Sequence, residues 1–329
     1  MVSLDWQQIS AAAAHIRAGR LVAMPTETVF GLAGDATNGA AVAAIFAAKD
    51  RPAINPLIAH VPTRAAAEKL AVFSPVARGL ADAFWPGPLT LVLPRAPACP
   101  VSSLATAGLE TIAVRVPDHP VALALLAAVD RPLAAPSANP SGQISPTRAE
   151  HVRMRLGARV AMVLEAPGCA IGLESTIVQP LDDHIRVLRP GAVTPALLTD
   201  RTGLAVTTTD SDADAGPVRA PGMLKSHYAP RAPLRKDVTA PRTDEVWLGF
   251  GADPETPPAQ TLWLSEPEIG EPGDLAEAAA TLFAHLHRAD ALCQAGKANA
   301  IAVAPIPAEG LGLAINDRLS RAAVAPTGR

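Results

Sequence analysis

"AMPTETVFGLAGDA" (Ala23–Ala36) decides how the first half of the chain is read. The apolar run "RLVAM" stops at Pro25, and Thr26, Glu27 and Thr28 follow at once, ahead of Val29, Phe30 and a series of small residues. A buried strand that ends in three hydrogen-bonding side chains has two readings. One is a strand-to-helix turn in which Thr26 or Thr28 acts as a local cap. The other is a ligand held at a strand end, where binding residues collect on a rigid scaffold. A motif this short leaves both open.

Outward from this stretch, "DWQQISAAAAHIRAG" predicts a helix closed by Gly19, and "AAVAAIFAAKD", "PVARGLADAFW" and "VALALLAAV" predict three more, the last starting beside Pro120. "NPLIAHV", "LTLVLP", "TIAVRVP", "VAMVLEA", "ESTIVQP" and "HIRVLRP" read as strands, with "LDD" as a hairpin turn between the last two. This irregular mixture predicts an α/β (α+β) domain. Near residue 200 the texture changes. "TGLAVTTTDSDADAGPVRAPG" is small, polar and aperiodic, and reads as a linker. After it come strands "DEVWLGF" and "TLWLSEP", a helix with Leu275, Ala279, Leu282 and Leu286 along one face, strand "NAIAVAPIP" and a closing helix. That order predicts a small open α/β sheet. The expected division is 1–202, a linker or lid at 203–236, and 237–329.

Composition narrows the classes of function. Net charge is −3, so no global field attracts nucleic acid. Cys99, Cys169 and Cys293 are scattered, with no C-x-x-C pair, which fits a reduced, cytoplasmic setting and neither a disulfide framework nor a thiolate zinc site. "MVSLDWQQIS" lacks the pattern of a signal peptide, and no apolar run is long enough for a membrane span. His285 and His287 lie two apart on a helix and cannot chelate one metal, and no metal site is expected. Neither a P-loop nor a G-x-G-x-x-G fingerprint is present.

Strand phase is more informative. In "TIAVRVP", Ile112, Val114 and Val116 share one face, and Thr111, Ala113 and Arg115 the other. Arg115 would grip a carboxylate through two parallel bonds, or would lie on a solvated face or in a structural ion pair. Lys49 and Arg51 follow a helix, where they complement its dipole or bracket a polyphosphate. "APSANPSGQISPT" offers Ser137, Asn139, Ser141 and Ser145, suited to turns or to ribose and phosphate contacts. Ser175 and Arg189 sit in the hairpin strands. Together these groups suit an anionic ligand with a small polar partner.

"PTETVFGLAGDA", "KDRPAINPLIAHV", "WPGPLTLVL", "TIAVRVPDHP", "APSANPSGQISPT", "GLESTIV" and "RVLRPGAVT", in this order, closely resemble the YrdC-like domain over almost all of residues 10–200. The remainder, with "APGMLKSHYAP", resembles the linker and extra domain of the longer Sua-type threonylcarbamoyl-AMP synthases. The resemblance implies a twisted mixed sheet around a large cationic cavity. It implies a nucleotidyltransferase that joins L-threonine, bicarbonate and ATP, with Mg²⁺ accompanying ATP, to give threonylcarbamoyl-AMP and pyrophosphate for tRNA modification. A tRNA or a tRNA-modifying transferase complex is the implied partner. Carried over by position, Thr28, His60, Arg115, Ala135 and Ser175 would bind threonine. Lys49, Arg51, Asn55, Thr111, Ser137, Asn139, Ser145, Arg189 and Tyr228 would bind ATP, with Lys49 and Arg51 offsetting charge in catalysis. This sequence departs from the family pattern at Phe30, Ala33, Ala220, Leu224 and Ser226 but keeps His227 and Tyr228. A module binding double-stranded RNA on a basic concave face is the competing reading. Carbamoyl transfer of the hydrogenase-maturation kind lacks its companion segments here.

Overall fold

The computed structural model describes residues 4–52, 55–208, 227–267 and 273–324. The first unit holds β1 (Val22–Met24), β2 (Gly31–Asp35), β3 (Ile58–His60), β4 (Leu89–Pro94), β5 (Thr111–Arg115), β6 (Leu133–Ala134), β7 (Met162–Val163), β8 (Thr176–Pro180), β9 (His184–Arg189) and β10 (Ala205–Thr208). They form one mixed sheet in the order β10-β9-β8-β4-β5-β3-β6-β2-β1-β7. Helices α1 (Trp6–Arg17), α2 (Gly39–Lys49), α3 (Arg64–Ala67), α4 (Pro75–Phe84), α5 (Pro120–Val129), α6 (Ala149–Leu156) and α7 (Pro195–Thr202) accompany it. The second unit is a parallel sheet, β11 (Leu234–Arg235), β12 (Glu245–Phe250), β13 (Gln260–Ser265) and β14 (Ala300–Val303), ordered β11-β14-β12-β13, with α8 (Leu275–Gln294) and α9 (Gly312–Ala322). The expected fold class is the observed one.

Local chemistry explains most boundaries. Asp5 caps α1 by accepting the Gln7 and Gln8 amides, and Gly19, at φ +77°, ends that helix. Pro75 and Pro120 open α4 and α5. Two readings need correction. Ala205–Thr208, read as linker, is an edge strand parallel to β9, because backbone pairing needs no side-chain periodicity. The segment after Pro25 leads not to a helix but to β2, which runs antiparallel to β1. Of the linker reading, residues 209–226 lie outside the described residues.

β5 has the predicted phase. Ile112, Val114 and Val116 join the large core, while Ala113 faces the other way with Ile58, Val92, Ile177 and Leu188. Burying both faces puts Arg115, on the Ala113 side, under the sheet surface rather than in solvent. The two units are pressed together. A Cβ at Gly172 would lie 2.4 Å from the Ala279 carbonyl of α8, so only glycine permits this approach. Val29, Ile144 and Leu173 of the first unit share an apolar cluster with Tyr228, Phe283 and Leu282.

Candidate active site

A cleft opens at the ends of β1, β3, β5 and β9, with His227 and Tyr228 in its lining. The turn after Pro25 builds one wall. Thr26 Oγ1 accepts the Thr28 and Val29 amides, each at 3.2 Å, and donates to the Val29 carbonyl at 2.6 Å. Thr26 thus takes the local capping role, and Thr28 is turned to the cleft. Thr28 Oγ1 accepts from Arg115 Nη1 at 3.0 Å.

Arg115 is 3% exposed. Its Nε donates to the Gly87 carbonyl at 3.2 Å, and its Nη2 lies 2.7 Å from Glu27 Oε1. The solvated-face alternative is therefore excluded, and the ion pair is real. A guanidinium has five N–H donors, so the Glu27 pair leaves capacity for a second carboxylate on the cleft side. His60 borders Arg115 across the β3–β5 pairing. Burial, and then the Arg115 charge, push its imidazole down to about 3, so it is neutral. Ala135 and Ser137 line the cleft on the segment after β6. Ser175 Oγ pairs with Thr90 Oγ1 at 2.8 Å and accepts from Arg189 Nη2 at 3.1 Å.

The opposite end is cationic. Arg51 is 8% and Arg189 6% exposed, and both line the cleft. Burial, together with the neighbouring Arg189 charge, lowers Arg51 to about 10. Burial also lowers Arg189. His227 is held well below its ordinary value by burial and by Arg51 and Lys49 beside it, so it too is neutral. Burial raises the Tyr228 phenol. Glu174 is the sole acidic residue lining the cleft among the described residues. Burial pushes its carboxyl upward, but Arg318 and Arg189 outweigh that and hold it below the usual range.

The structure brings Thr28, Arg51, His60, Arg115, Ala135, Ser137, Ser175, Arg189 and Tyr228 to one cleft. Five expected residues do not line it directly. Lys49 is fully buried, and its ammonium donates to the Ser137 and Asn139 carbonyls, bracing the loop that carries Ser137. Asn139 spends its Nδ2 on the Pro140 and Gln143 carbonyls. Ser145 Oγ donates to Glu174 Oε1 at 2.5 Å. Asn55 is buried beside Arg51, which reaches its carbonyl at 3.4 Å, while its own amide atoms have no partner among the described residues. Thr111 starts β5, four residues before Arg115 and so about 13 Å away along the strand. Three further residues emerge from the structure alone: Glu27, Glu174 and Arg318, the last from α9. Glu27 had a signal, since it stands inside the threonine pair. Arg318 had none. No group of three metal-ligating side chains occurs among the described residues. No helix among them is long and apolar enough to cross a membrane.

Comparison with known proteins agrees with this architecture. The Sua5/YciO/YrdC family, described as "Telomere recombination", matches residues 14–191, and the family described as "Threonylcarbamoyl-AMP synthase, C-terminal domain" matches residues 192–324. A Bacillus subtilis protein named threonylcarbamoyl-AMP synthase is 46% identical over 235 residues, spanning 71% of this chain and 67% of its own. A Pyrococcus abyssi protein of the same name is 43% identical over 230 residues, 69% of this chain and 67% of its own. The crystal structure of P. abyssi Sua5 complexed with L-threonine superposes with a TM-score of 0.86 at 34% identity, covering 98% of this chain and 95% of that one. With matches to both family domains and an archaeal Sua5 aligned almost end to end, this chain belongs to the Sua5/YciO/YrdC family, in its longer form with the synthase C-terminal domain.

Proposed function

We propose that this protein is a threonylcarbamoyl-AMP synthase that condenses L-threonine, bicarbonate and ATP, releasing pyrophosphate, to supply the adenylate used in tRNA modification. One observation carries the reading. A carboxylate-gripping group, Arg115 beside Thr28 and neutral His60, opens into the same cleft as the phosphate-suited cations Arg51 and Arg189. The relative solved with L-threonine shares the fold over 98% of this chain. In this reading Arg115 takes the threonine carboxylate, and Thr28, Ser175 and the Ala135 backbone surround the rest. The amine nitrogen attacks the carbon of bicarbonate, water leaves, and an N-carboxylate forms. An oxygen of that carboxylate attacks the α-phosphorus of ATP, and the bond to pyrophosphate breaks. Arg51 and Arg189 offset charge gathering on the phosphoryl oxygens, and holding three substrates together supplies much of the rate. His60, at about 3, is too weak a base to take the ammonium proton and orients the substrate instead.

Mg²⁺ arrives on the triphosphate as part of the substrate. The cleft has no set of ligands for it among the described residues, and its carboxylate, Glu174, is already bonded to Ser145 and Arg318. The cleft cations Arg51, Arg115 and Arg189 are walled in, at 3–8% exposure, out of reach of an RNA duplex. That favours a small anion over double-stranded RNA. Pyrophosphate release, measured with threonine, bicarbonate and ATP omitted in turn, tests the reading. Release that needs all three supports it, and release without threonine overturns it.

A further inference from the structure

We propose that Arg318, on the last helix of the C-terminal unit, is a positioning residue of the catalytic cleft, holding the Glu174 carboxylate and the Tyr228 ring against the nucleotide side. The role in turnover rests on the function proposed above, but the placement does not. Arg318 is fully buried, and a buried guanidinium is tolerated only when its donors are met. Its Nε donates to Glu174 Oε2 at 2.8 Å, its Nη2 to the Pro190 carbonyl at 3.0 Å, and its Nη1 to Asp317 Oδ2 at 2.6 Å. Its guanidinium carbon lies 5.2 Å from the Tyr228 ring centroid, within cation–π range.

Only Asp317 among these partners belongs to the same helix. Glu174 and Tyr228 line the cleft, and Pro190 directly follows Arg189, which lines it too. An arginine serving α9 alone has no need of them. The other Glu174 oxygen takes the Ser145 hydroxyl, so the carboxylate is fixed at both ends. Kept charged by Arg318, it is the counter-ion inside a wall of cations. Tyr228 has φ +63°, unusual for a residue with a Cβ. It is held there by its rings' neighbours, Arg318 and Phe283, and by the Ala229 amide bonded to the Gly142 carbonyl. The C-terminal unit therefore backs a wall of the active site, and Arg318 is its charged contact there, beside Phe283.

The sequence offers a direct probe, because Tyr228 is the chain's single tyrosine. Protein grown with ring-labelled tyrosine gives one tyrosine signal set by NMR. In Arg318→Met that signal should move to the position of solvent-exposed tyrosine. The kcat for pyrophosphate release should fall by about 100-fold, the scale of a misplaced reacting group, with threonine affinity unchanged. The acid limb of the kcat profile should move to higher pH, because Glu174 has lost the charge that keeps it ionised. Arg318→Met combined with Glu174→Gln removes the unpaired charge. It should regain the melting temperature but neither kcat nor the buried tyrosine signal. A double variant that regains kcat along with stability would make Arg318 a structural brace only and overturn the proposal. An unmoved Tyr228 signal in Arg318→Met would overturn it as well. Wild-type protein that releases no pyrophosphate sinks the functional reading instead, while the tyrosine signal still reports the placement.

Discussion

Replacing Arg115 by alanine should abolish threonine binding and leave ATP binding in place. Arg115 is 3% exposed and paired with a carboxylate that is 7% exposed, so two consequences can be separated. A substrate carboxylate brought to this site without its partner loses about 2–5 kcal/mol. That is roughly 30- to 4,000-fold in Kd. The same deletion strands Glu27, and breaking a buried ion pair from one side costs about 3–5 kcal/mol of stability. Against a total of about 5–15 kcal/mol, the single variant is fragile. The pair Arg115→Ala with Glu27→Gln removes the stranded charge and keeps the fold for measurement. Calorimetric titration with threonine and with ATP, well below the melting temperature, separates the two ligands. The expected result is no detectable threonine heat in either variant and a wild-type ATP isotherm. A folded, ATP-binding variant with wild-type threonine affinity refutes the assignment of Arg115 to the carboxylate.

Lys49 and Arg51 should behave differently. Lys49→Met takes the ammonium from the buried Asn139 carbonyl, at about 1–3 kcal/mol, and leaves the Ser137 carbonyl with the Asn139 amide alone, so it should lower the melting temperature. Among the described residues the hydrogen bonds of Arg51 are long, 3.2–3.5 Å, so Arg51→Ala should slow turnover more than it destabilises, and an early-melting variant with wild-type turnover would contradict this. Acid should unfold the protein over a defined window. His60 and His287 are pushed down to about 3 and His151 to about 4, so the unfolded chain binds these protons first as pH falls. Stability is intact above the unfolded value near ~6.5 and is lost below it, by about 1.4 kcal/mol per pH unit for each histidine, until the folded values are reached. A melting temperature flat from about pH 6.5 to 4 would show that these rings are not held neutral. Tripolyphosphate without nucleoside should raise the melting temperature, as binding to the folded state requires, by the equivalent of about 2.7 kcal/mol at 100 times Kd. No shift at saturation would remove the phosphate role of the cationic wall.

The sequence exposed what has a period or a strong local cap. Helix α1 between Asp5 and Gly19 and the phase of β5 are local facts, and both are legible without knowledge of the partners. Strand β6, two residues long, carries too little pattern to be found, whereas β7 lies inside the predicted strand "VAMVLEA". Edge strand β10 was hidden because its side chains are mostly exposed and its pairing is backbone alone. The turn at Thr26 was legible as a turn but not in its destination, since a strand and a helix can both follow the same hydroxyl cap.

The harder part of the site to read was its charge balance. Lys49, Arg51, Arg115, Arg189 and Arg318 are all buried, in a chain whose net charge is −3. Among the described residues Glu27 pairs with Arg115, Glu174 with Arg318, and Asp317 with Arg318 on its own helix. Backbone carbonyls answer much of the remainder: Ser137 and Asn139 for Lys49, Pro56 for Arg51, Gly87 for Arg115, Ser175 for Arg189 and Pro190 for Arg318. A carbonyl satisfies a donor but does not cancel a charge. Among the described residues a positive excess therefore stays in a low-dielectric cleft, a cost that a bound polyanion relieves. No single residue in the sequence announces this. It arises because loops far apart in the chain turn their carbonyls inward, and because α9, more than a hundred residues beyond Glu174, brings the arginine that keeps Glu174 charged.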